Sequence, residues 1–282
     1  MFVEPVGAGG MPLIVLHGGP GLDHTNLRPL LDPLGDGFRV LYVDQRGQGR
    51  SERVDPAALN LEVFARDVDQ LAQALGLEGF ALLGHSFGAI VTTWHAINLG
   101  TSDAYVISGG GDSSEGLMAD VEASLEAMGD AGKPIAESWE WEKSVRTLED
   151  CAELMRIQMP FHFAGEPPPD FAADTVYAPE VLRYFATAGY GDFDYTPHLG
   201  RVSKPTLVLV GAEDRVTTPR AARVLHEGIP GSELAVLDGA GHMSMIEAQD
   251  VYLAAVKRFL RGVGSGLALR DSGGERKRQC KT

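Results

Sequence analysis

The residues best suited to chemistry in this sequence form the pentapeptide Gly-His-Ser-Phe-Gly at 84–88, directly after a short apolar run. Gly-x-Ser-x-Gly between a strand and a helix is typical of a nucleophile elbow, a turn too tight for side chains on both flanks of the serine. Such a turn exposes the hydroxyl of Ser86 at the end of a sheet and directs the amide of Phe87 toward the space above it. Because serine and glycine are common, the pentapeptide predicts a nucleophile only if its partners appear elsewhere in the chain.

A serine hydroxyl needs a base, and the base needs an orienting carboxylate. His242 follows a predicted strand at 234–237, and Asp214 follows a predicted strand at 205–210. An imidazole, with an ordinary pKa of about 6.5, can take the serine proton and return it to a leaving group. The order Ser, Asp, His along the chain agrees with the elbow architecture and with neither of the two other known orders. The sequence therefore predicts a triad of Ser86, Asp214 and His242.

Two other acidic residues compete for the role of orienting carboxylate. Asp112 follows a predicted strand and its three glycines, and Glu213 is the chain neighbour of Asp214. Both lie at strand ends, where a partner for the histidine is expected. The alternatives Asp112 and Glu213 therefore stay open from the sequence alone.

Other histidines have simpler interpretations. His17 precedes the glycines at 18–21, and His85 lies within the pentapeptide at 84–88. We expect both to support these loops through hydrogen bonds. His17, Asp23 and His24 are close in sequence but match no familiar spacing of metal ligands. We therefore predict no metal site and no cofactor.

Two further strand ends lead into glycine-rich loops. The apolar run 12–16 enters His-Gly-Gly-Pro-Gly at 17–21, and the run 38–43 enters Asp-Gln-Arg-Gly-Gln-Gly-Arg-Ser at 44–51. The first loop is either an approach of backbone N–H groups to a ligand, as an oxyanion hole requires, or a plain turn. The second has two arginines near a Gly-x-Gly pair, but its spacing is that of neither nucleotide-binding loop, so we interpret it as structural.

Composition limits the class of protein. The chain has 282 residues, 44% of them hydrophobic, which is enough for one large α/β domain with an inserted subdomain. A formal net charge of −15 argues against nucleic acid or an anionic membrane as a partner. We find no window that resembles a membrane span and no leader pattern. Cys151 and Cys280 lie too far apart in the sequence for a structural disulfide to be expected, so we predict a cytoplasmic protein.

Predicted strands and helices alternate along the chain, with one interruption. This alternation predicts a mostly parallel sheet flanked by helices, with ligands at the carboxyl ends of the strands. Between 112 and 200 the alternation gives way to helical patterns, in a segment too long and too regular for a loop. We expect a core domain formed by 1–111 and 201–262, a helical cap domain at 112–200, and a disordered tail at 263–282.

Together these motifs resemble the α/β-hydrolase fold and, more narrowly, the proline iminopeptidase group of serine aminopeptidases. The resemblance extends from 12 to 260 and is carried by the loops at 17–21, 44–51, 84–88, 211–214 and 241–242. It implies hydrolysis through an acyl-enzyme on Ser86. It further implies that the amides of Gly19 and Phe87 form the oxyanion hole and that carboxylates of the cap bind the free amino end of the substrate.

Members of this group hold the substrate's ammonium group with glutamates from two cap helices, one of them after a tryptophan pair. Trp139-Glu140-Trp141-Glu142 resembles that site, so Glu142, or Glu140, is the expected ligand. The second glutamate is expected within 158–163, where the sequence offers no carboxylate. A neutral side chain there lacks the charge that a desolvated ammonium needs. Alternatively, Glu140 and Glu142 are solvated charges on a helix surface.

The group also carries an N-terminal hairpin. Eleven residues precede the strand that begins at Pro12. We therefore expect a shortened N-terminal edge of the sheet, with one or two edge strands absent.

The resemblance leaves the substrate open. The first hypothesis is an aminopeptidase that removes a small N-terminal residue, proline included. The second is an esterase, lactonase or amide hydrolase acting on a small metabolite held among Trp139, Trp141, Phe161 and Phe163. The third, a ligand-binding protein without catalysis, fits poorly with an apparently complete triad. In each case the expected partner is a small molecule or short peptide, and the sequence predicts no oligomeric state.

Overall fold

The computed structural model describes residues 1–189 and 192–278, and for 266–278 only the backbone. Its centre is a seven-stranded sheet with the strand order β1-β3-β2-β4-β5-β6-β7. β1 is antiparallel to β3, and the other neighbouring pairs are parallel. The strands are β1 Phe2–Val6, β2 Pro12–Leu16, β3 Arg39–Asp44, β4 Ala81–His85, β5 Ala104–Ser108, β6 Thr206–Gly211 and β7 Glu233–Leu237.

The central strands are buried on both faces. Every residue of β4 and β5 is buried, which explains their continuous apolar runs. Neighbours along β4 point to opposite sides, so Leu82 and Leu83 belong to two separate apolar layers. Helices α1 Leu61–Ala74, α2 Phe87–Asn98 and α7 Pro219–Gly228 cover one layer, and α9 Gln249–Arg278 covers the other. The predicted fold class is confirmed.

The N-terminal edge of the sheet is the antiparallel strand β1. It is formed by residues 2–6, for which the sequence predicts no element. Its Pro5 is tolerated because an edge strand leaves one side of its backbone unpaired. The N–H of Phe2 donates to Ser51 Oγ at 2.8 Å, and Glu4 pairs with Arg28, so side chains fasten this edge strand to the loops beside it.

Within the described part of the segment between β5 and β6 there are four longer helices, which we call the cap helices. They are α3 Ser114–Met128, α4 Lys133–Glu142, α5 Leu148–His162 and α6 Pro179–Ala188. Between them the chain leaves the helical conformation: α4 ends at Glu142, and α5 begins after Thr147. Thr147 and Asp150 form a capping box at that start, each side chain bonding the other's backbone N–H.

The C-terminal helix extends beyond the predicted core. α9 follows the one-turn helix α8 Ser244–Glu247 and has helical backbone to Arg278, where the sequence predicts a disordered tail from 263. Val263 packs against the apolar layer beneath α9, so core contacts continue past 262. Residues 279–282 of the predicted tail lie outside the described residues. Among the described helices, none has both the length and the apolar character to cross a bilayer.

Candidate active site

The turn between β4 and α2 has the geometry of a nucleophile elbow. Ser86 takes φ 55° and ψ −118°, a conformation that non-glycine residues rarely adopt. A Cβ on Gly84 would overlap the carbonyl oxygen of Gly88, and one on Gly88 would overlap that of Leu16. The Ser86 N–H donates to the carbonyl of Ser108 at 3.0 Å, which holds the turn against β5. The two glycines are therefore required by close backbone approach.

Asp214 and His242 meet at the ends of β6 and β7. His242 Nδ1 lies 2.9 Å from Asp214 Oδ2, and both residues are buried. Asp214 Oδ1 accepts from the amides of Val216 at 2.8 Å and Thr217 at 3.0 Å. A carboxylate beside Nδ1 fixes the proton on that nitrogen and leaves a lone pair on Nε2. Among the described residues Nε2 has no hydrogen-bond partner, and His242 lines the same cavity as Ser86.

The structure separates the three acidic candidates. Asp112 accepts two hydrogen bonds from the guanidinium of Arg220, at 2.8 and 3.1 Å. Glu213 is exposed. Asp214 is thus the carboxylate that the fold brings to His242.

His17 supports the loop at 17–21 through hydrogen bonds, and His85 packs against His242. His17 Nδ1 donates to the carbonyl of Gly18 at 2.7 Å, while Nε2 accepts from the amide of Gln45 at 3.2 Å. His85 is buried with its ring centroid 4.8 Å from that of His242. Burial lowers the pKa of both imidazoles, most strongly for His85.

The loop at 17–21 passes directly beside the serine. Gly18, Gly19 and Phe87 line the cavity with Ser86, and a Cβ on Gly18 would lie 3.1 Å from the Cβ of Ser86. Gly19 has a φ of +118°, which a side chain would not permit without strain. The glycines therefore allow backbone amides to reach the region above the hydroxyl.

The loop at 44–51 holds the loop at 17–21 in place. Gln48 Oε1 accepts from the amide of Gly21 at 2.6 Å, and Gln45 Nε2 donates to the carbonyl of His17 at 3.0 Å. These contacts give the loop at 44–51 a structural role, in agreement with its interpretation from the sequence.

A buried cluster of Asp23, His24 and Asp44 lies behind these loops. His24 Nδ1 donates to Asp44 at 2.6 Å and Nε2 donates to Glu4 at 3.0 Å. Burial opposes the charged ring, but the hydrogen bonds and charges of Asp44, Asp23 and Glu4 outweigh it and raise the pKa of His24. Arg50 pairs with Asp23 at 2.9 Å, so the cluster is an ion-pair network that fastens β1 and the two loops together.

A cavity of about 510 Å³ lies between the cap helices and the carboxyl ends of the strands. Glu142, at the end of α4, contributes a carboxyl to its wall and accepts from Gln158 Nε2 at 2.7 Å. Burial raises the pKa of Glu142 from 4.5 to about 7, while the hydrogen bond from Gln158 opposes this change. Glu140 lies at the exposed rim, paired with Lys143 at 2.6 Å. Glu142 therefore lies inside the cavity, and Glu140 lies at its edge.

The aromatic residues of the cap divide between the wall and the packing behind it. Trp139 lines the cavity, and Phe161 stacks edge-on behind it with centroids 5.3 Å apart. Trp141 packs against the separate apolar cluster around Val145 and Cys151. The predicted lining roles of Trp141 and Phe161 are corrected accordingly: both side chains support the cap from outside the cavity.

Sequence reasoning missed two residues of this site. His162 lines the cavity with its ring centroid 5.5 Å from that of His242, and its Nδ1 donates to the carbonyl of Gln158 at 3.0 Å. Burial lowers the pKa of His162 to about 4, so the ring is neutral at physiological pH. Thr217 contacts both Asp214 and His242. Thr217 comes three residues after the predicted catalytic Asp214, within reach of an Asx-type turn. This spacing is the sequence signal that could have identified it.

The sheet topology, the elbow at Ser86 and the Asp214–His242 pair at neighbouring strand ends are those of the α/β-hydrolase fold. The model of the Alpha/beta hydrolase family matches residues 13–255, and the chain belongs to this family. The resemblance predicted from the motifs is thereby confirmed, as is the prediction that the protein is a hydrolase.

Individual relatives agree with this assignment. The chain is 29% identical over 271 residues to a proline iminopeptidase of Saccharolobus solfataricus, covering 90% of this chain and 86% of the relative. A proline iminopeptidase of Lactobacillus acidophilus is 25% identical, covering 88% and 89%. Among solved structures, the proline iminopeptidase of Mycobacterium smegmatis has a TM-score of 0.74 at 23% identity, covering 94% and 95%. A thermophilic esterase of Thermogutta terrifontis has a TM-score of 0.68 at 27% identity, covering 93% of each chain.

Proposed function

We propose that this hydrolase is a serine aminopeptidase of the proline iminopeptidase type, which releases a small N-terminal residue from a peptide or amide. The observation that carries the proposal is the partly buried carboxyl of Glu142, with its raised pKa, in the cavity that also contains Ser86 and His242. A carboxyl facing an otherwise largely apolar chamber suits a substrate with a free amine. The relatives named proline iminopeptidase support the same reaction.

The proposed reaction uses the triad as follows. His242 Nε2 takes the proton of Ser86 as the serine oxygen attacks the scissile carbonyl, and Asp214 stabilises the resulting imidazolium. The amides of Gly19 and Phe87 donate to the oxyanion. His242 then returns the proton to the leaving amine, and the C–N bond breaks to leave an acyl ester on Ser86. Water, activated by the same imidazole, hydrolyses the ester and regenerates the serine.

Glu142 supplies the selectivity in this proposal. An ammonium brought into the cavity loses water, and a carboxylate compensates for that loss by charge pairing. Because the pKa of Glu142 is about 7 in the free protein, binding of an ammonium expels the carboxyl proton below neutral pH. We therefore expect KM for free-amine substrates to rise as pH falls below about 7, while blocked substrates show no such rise.

A second candidate is an esterase or amide hydrolase for a small apolar metabolite. It is favoured by the size of the cavity, about 510 Å³, and by the apolar residues in its wall, among them Leu117, Met155 and Phe185. A single prolyl residue would occupy a minor part of this space. A solved relative named as an esterase supports this reading.

One paired screen separates these functions. Prolyl and alanyl arylamides are compared with their N-acetylated forms, using wild type, Glu142→Gln and the rim control Glu140→Gln. Aminopeptidase action predicts turnover of free amines only, with KM raised at least about 10-fold in Glu142→Gln and unchanged in Glu140→Gln. Equal turnover of free and acetylated substrates would favour the esterase alternative.

The serine mechanism has its own control. A fluorophosphonate probe is expected to label wild type and not Ser86→Ala. A folded wild-type protein that resists labelling would contradict both enzymatic candidates and leave a ligand-binding protein.

A further inference from the structure

Thr217 sits at the junction of Asp214 and His242. Its Oγ1 lies 3.0 Å from Asp214 Oδ2 and 3.1 Å from His242 Nδ1. The residue is 2% exposed and borders the cavity. A Cβ on Gly109 would lie 3.1 Å from both Thr217 Oγ1 and the His242 ring, so the hydroxyl is tightly enclosed.

The donors and acceptors at this junction can be assigned from the carboxylate. His242 Nδ1, 2.9 Å from Asp214 Oδ2, must carry a proton because two lone pairs would repel each other. The single hydrogen of the Thr217 hydroxyl is therefore directed to Oδ2. Asp214 then accepts two hydrogen bonds on Oδ2, and two backbone amides occupy Oδ1.

We propose that Thr217 is a positioning residue that divides Asp214 Oδ2 between two donors and so weakens the hydrogen bond that this oxygen accepts from His242 Nδ1. The role rests on the proposed function of His242 as the base of the triad. A hydrogen bond to a carboxylate is roughly twice as strong as one between neutral groups. The contact of Nδ1–H with the alcohol oxygen is the weaker of the hydroxyl's two contacts. Removing the hydroxyl therefore leaves Oδ2 to His242 alone and strengthens the imidazolium.

Other ionisable groups near His242 are unchanged by this substitution. His85 and His162 face the ring from β4 and α5. Arg215 donates to the carbonyl of Phe163, and Glu247 accepts from the amide of Gly241. These contacts do not involve Thr217 Oγ1. A change in the titration of His242 when that hydroxyl is removed therefore reports the altered hydrogen bonding of Asp214.

The experiment follows the titration of His242 by NMR in the full-length protein. The imidazole C–H resonance is assigned by its loss in His242→Asn, and its midpoint is compared between wild type, Thr217→Val and Thr217→Ser. We expect Thr217→Val to raise the midpoint by roughly 0.5–1 pH unit, the size of one hydrogen bond, and Thr217→Ser to leave it at the wild-type value. Thr206→Val, which removes a buried hydroxyl at the opposite end of β6, is the matched control and should cause no change.

Activity gives a parallel readout. In Thr217→Val the acidic limb of the kcat profile, measured at saturating substrate, should move to higher pH by the same amount, while KM at high pH is kept. If Thr217→Val does not fold, Thr217→Ala carries the same expectation. An unchanged or lowered midpoint in a folded variant overturns the role of Thr217. Failure of the proposed function is seen separately as absent Ser86 labelling, and the NMR midpoint decides the inference in either case.

Discussion

Replacement of Glu142 by Gln tests whether this partly buried carboxyl of the cap is costly to ionise. Burial raises its pKa from 4.5 to about 7 in the folded protein, whereas in the unfolded chain it ionises near its ordinary value. Between these two values unfolding releases a proton, so the wild-type protein loses stability as pH rises and stays at the lower level above about 7. At about 1.4 kcal/mol per pH unit, the loss amounts to about 3 kcal/mol.

Glutamine has nearly the same shape and its Oε1 can still accept from Gln158 Nε2. Glutamine does not ionise, so the Glu142→Gln protein does not lose stability in this way. Its free energy of unfolding relative to that of wild type should rise by about 2 kcal/mol between about pH 5.5 and pH 8. Urea unfolding followed by tryptophan fluorescence at the two pH values measures this difference.

The matched control is Glu140→Gln, which alters an exposed carboxyl paired with Lys143. Its effect should stay within about 0.5 kcal/mol at both pH values. A Glu142→Gln protein whose stability relative to wild type does not change with pH would show that the carboxyl is not desolvated, and the raised pKa on which the proposed selectivity rests would be refuted.

Three further substitutions test the framework of the site. Gly84→Ala places a Cβ onto a backbone oxygen of the following turn, so we expect a loss of at least about 3 kcal/mol in urea unfolding, or no folded protein. Arg220→Met leaves Asp112 buried without its partner and frees Asp120 of α3, which should cost about 2 kcal/mol and lower Tm in calorimetry. Asp214→Asn should keep the fold, as judged by circular dichroism, and reduce kcat by roughly 10³-fold to 10⁴-fold on an arylamide; a full-rate variant would contradict the role of this carboxylate.

The elbow and its partners could be predicted because their signals are local and their meeting point follows from topology. Gly84 and Gly88 are required by backbone contact, and parallel strands deliver Ser86, Asp214 and His242 to one edge of the sheet. The choice among the acids could not be made, because it depends on contacts across the sheet. Arg220 lies 108 residues from the Asp112 that it occupies, and sequence spacing carries no sign of that pairing.

The arrangement of the cap is harder to predict. The sequence indicates where its helices lie along the chain, but not which face of each helix points to the cavity. Residues two apart on a helix point in different directions, whereas residues three apart share a face. Trp139 and Glu142 therefore face the cavity together, while Trp141 turns to the packing behind and Glu140 to the rim. The helical period of α4 places these residues on different faces, but which face lines the cavity depends on how α4 packs against the neighbouring helix α5.

Under the proposed function, Gln158 holds Glu142 in the cavity wall without a second carboxylate beside it. A second carboxylate at this position would add a like charge and force one of the pair to keep its proton. Gln158 instead donates to Glu142 at 2.7 Å and to Ser138 at 3.2 Å, which fixes the carboxyl in the wall without adding charge. A carboxyl with a pKa of about 7 is near its midpoint in neutral solution. Under the proposed function, the incoming ammonium completes its ionisation, so the charge pair forms only when a substrate with a free amine is bound.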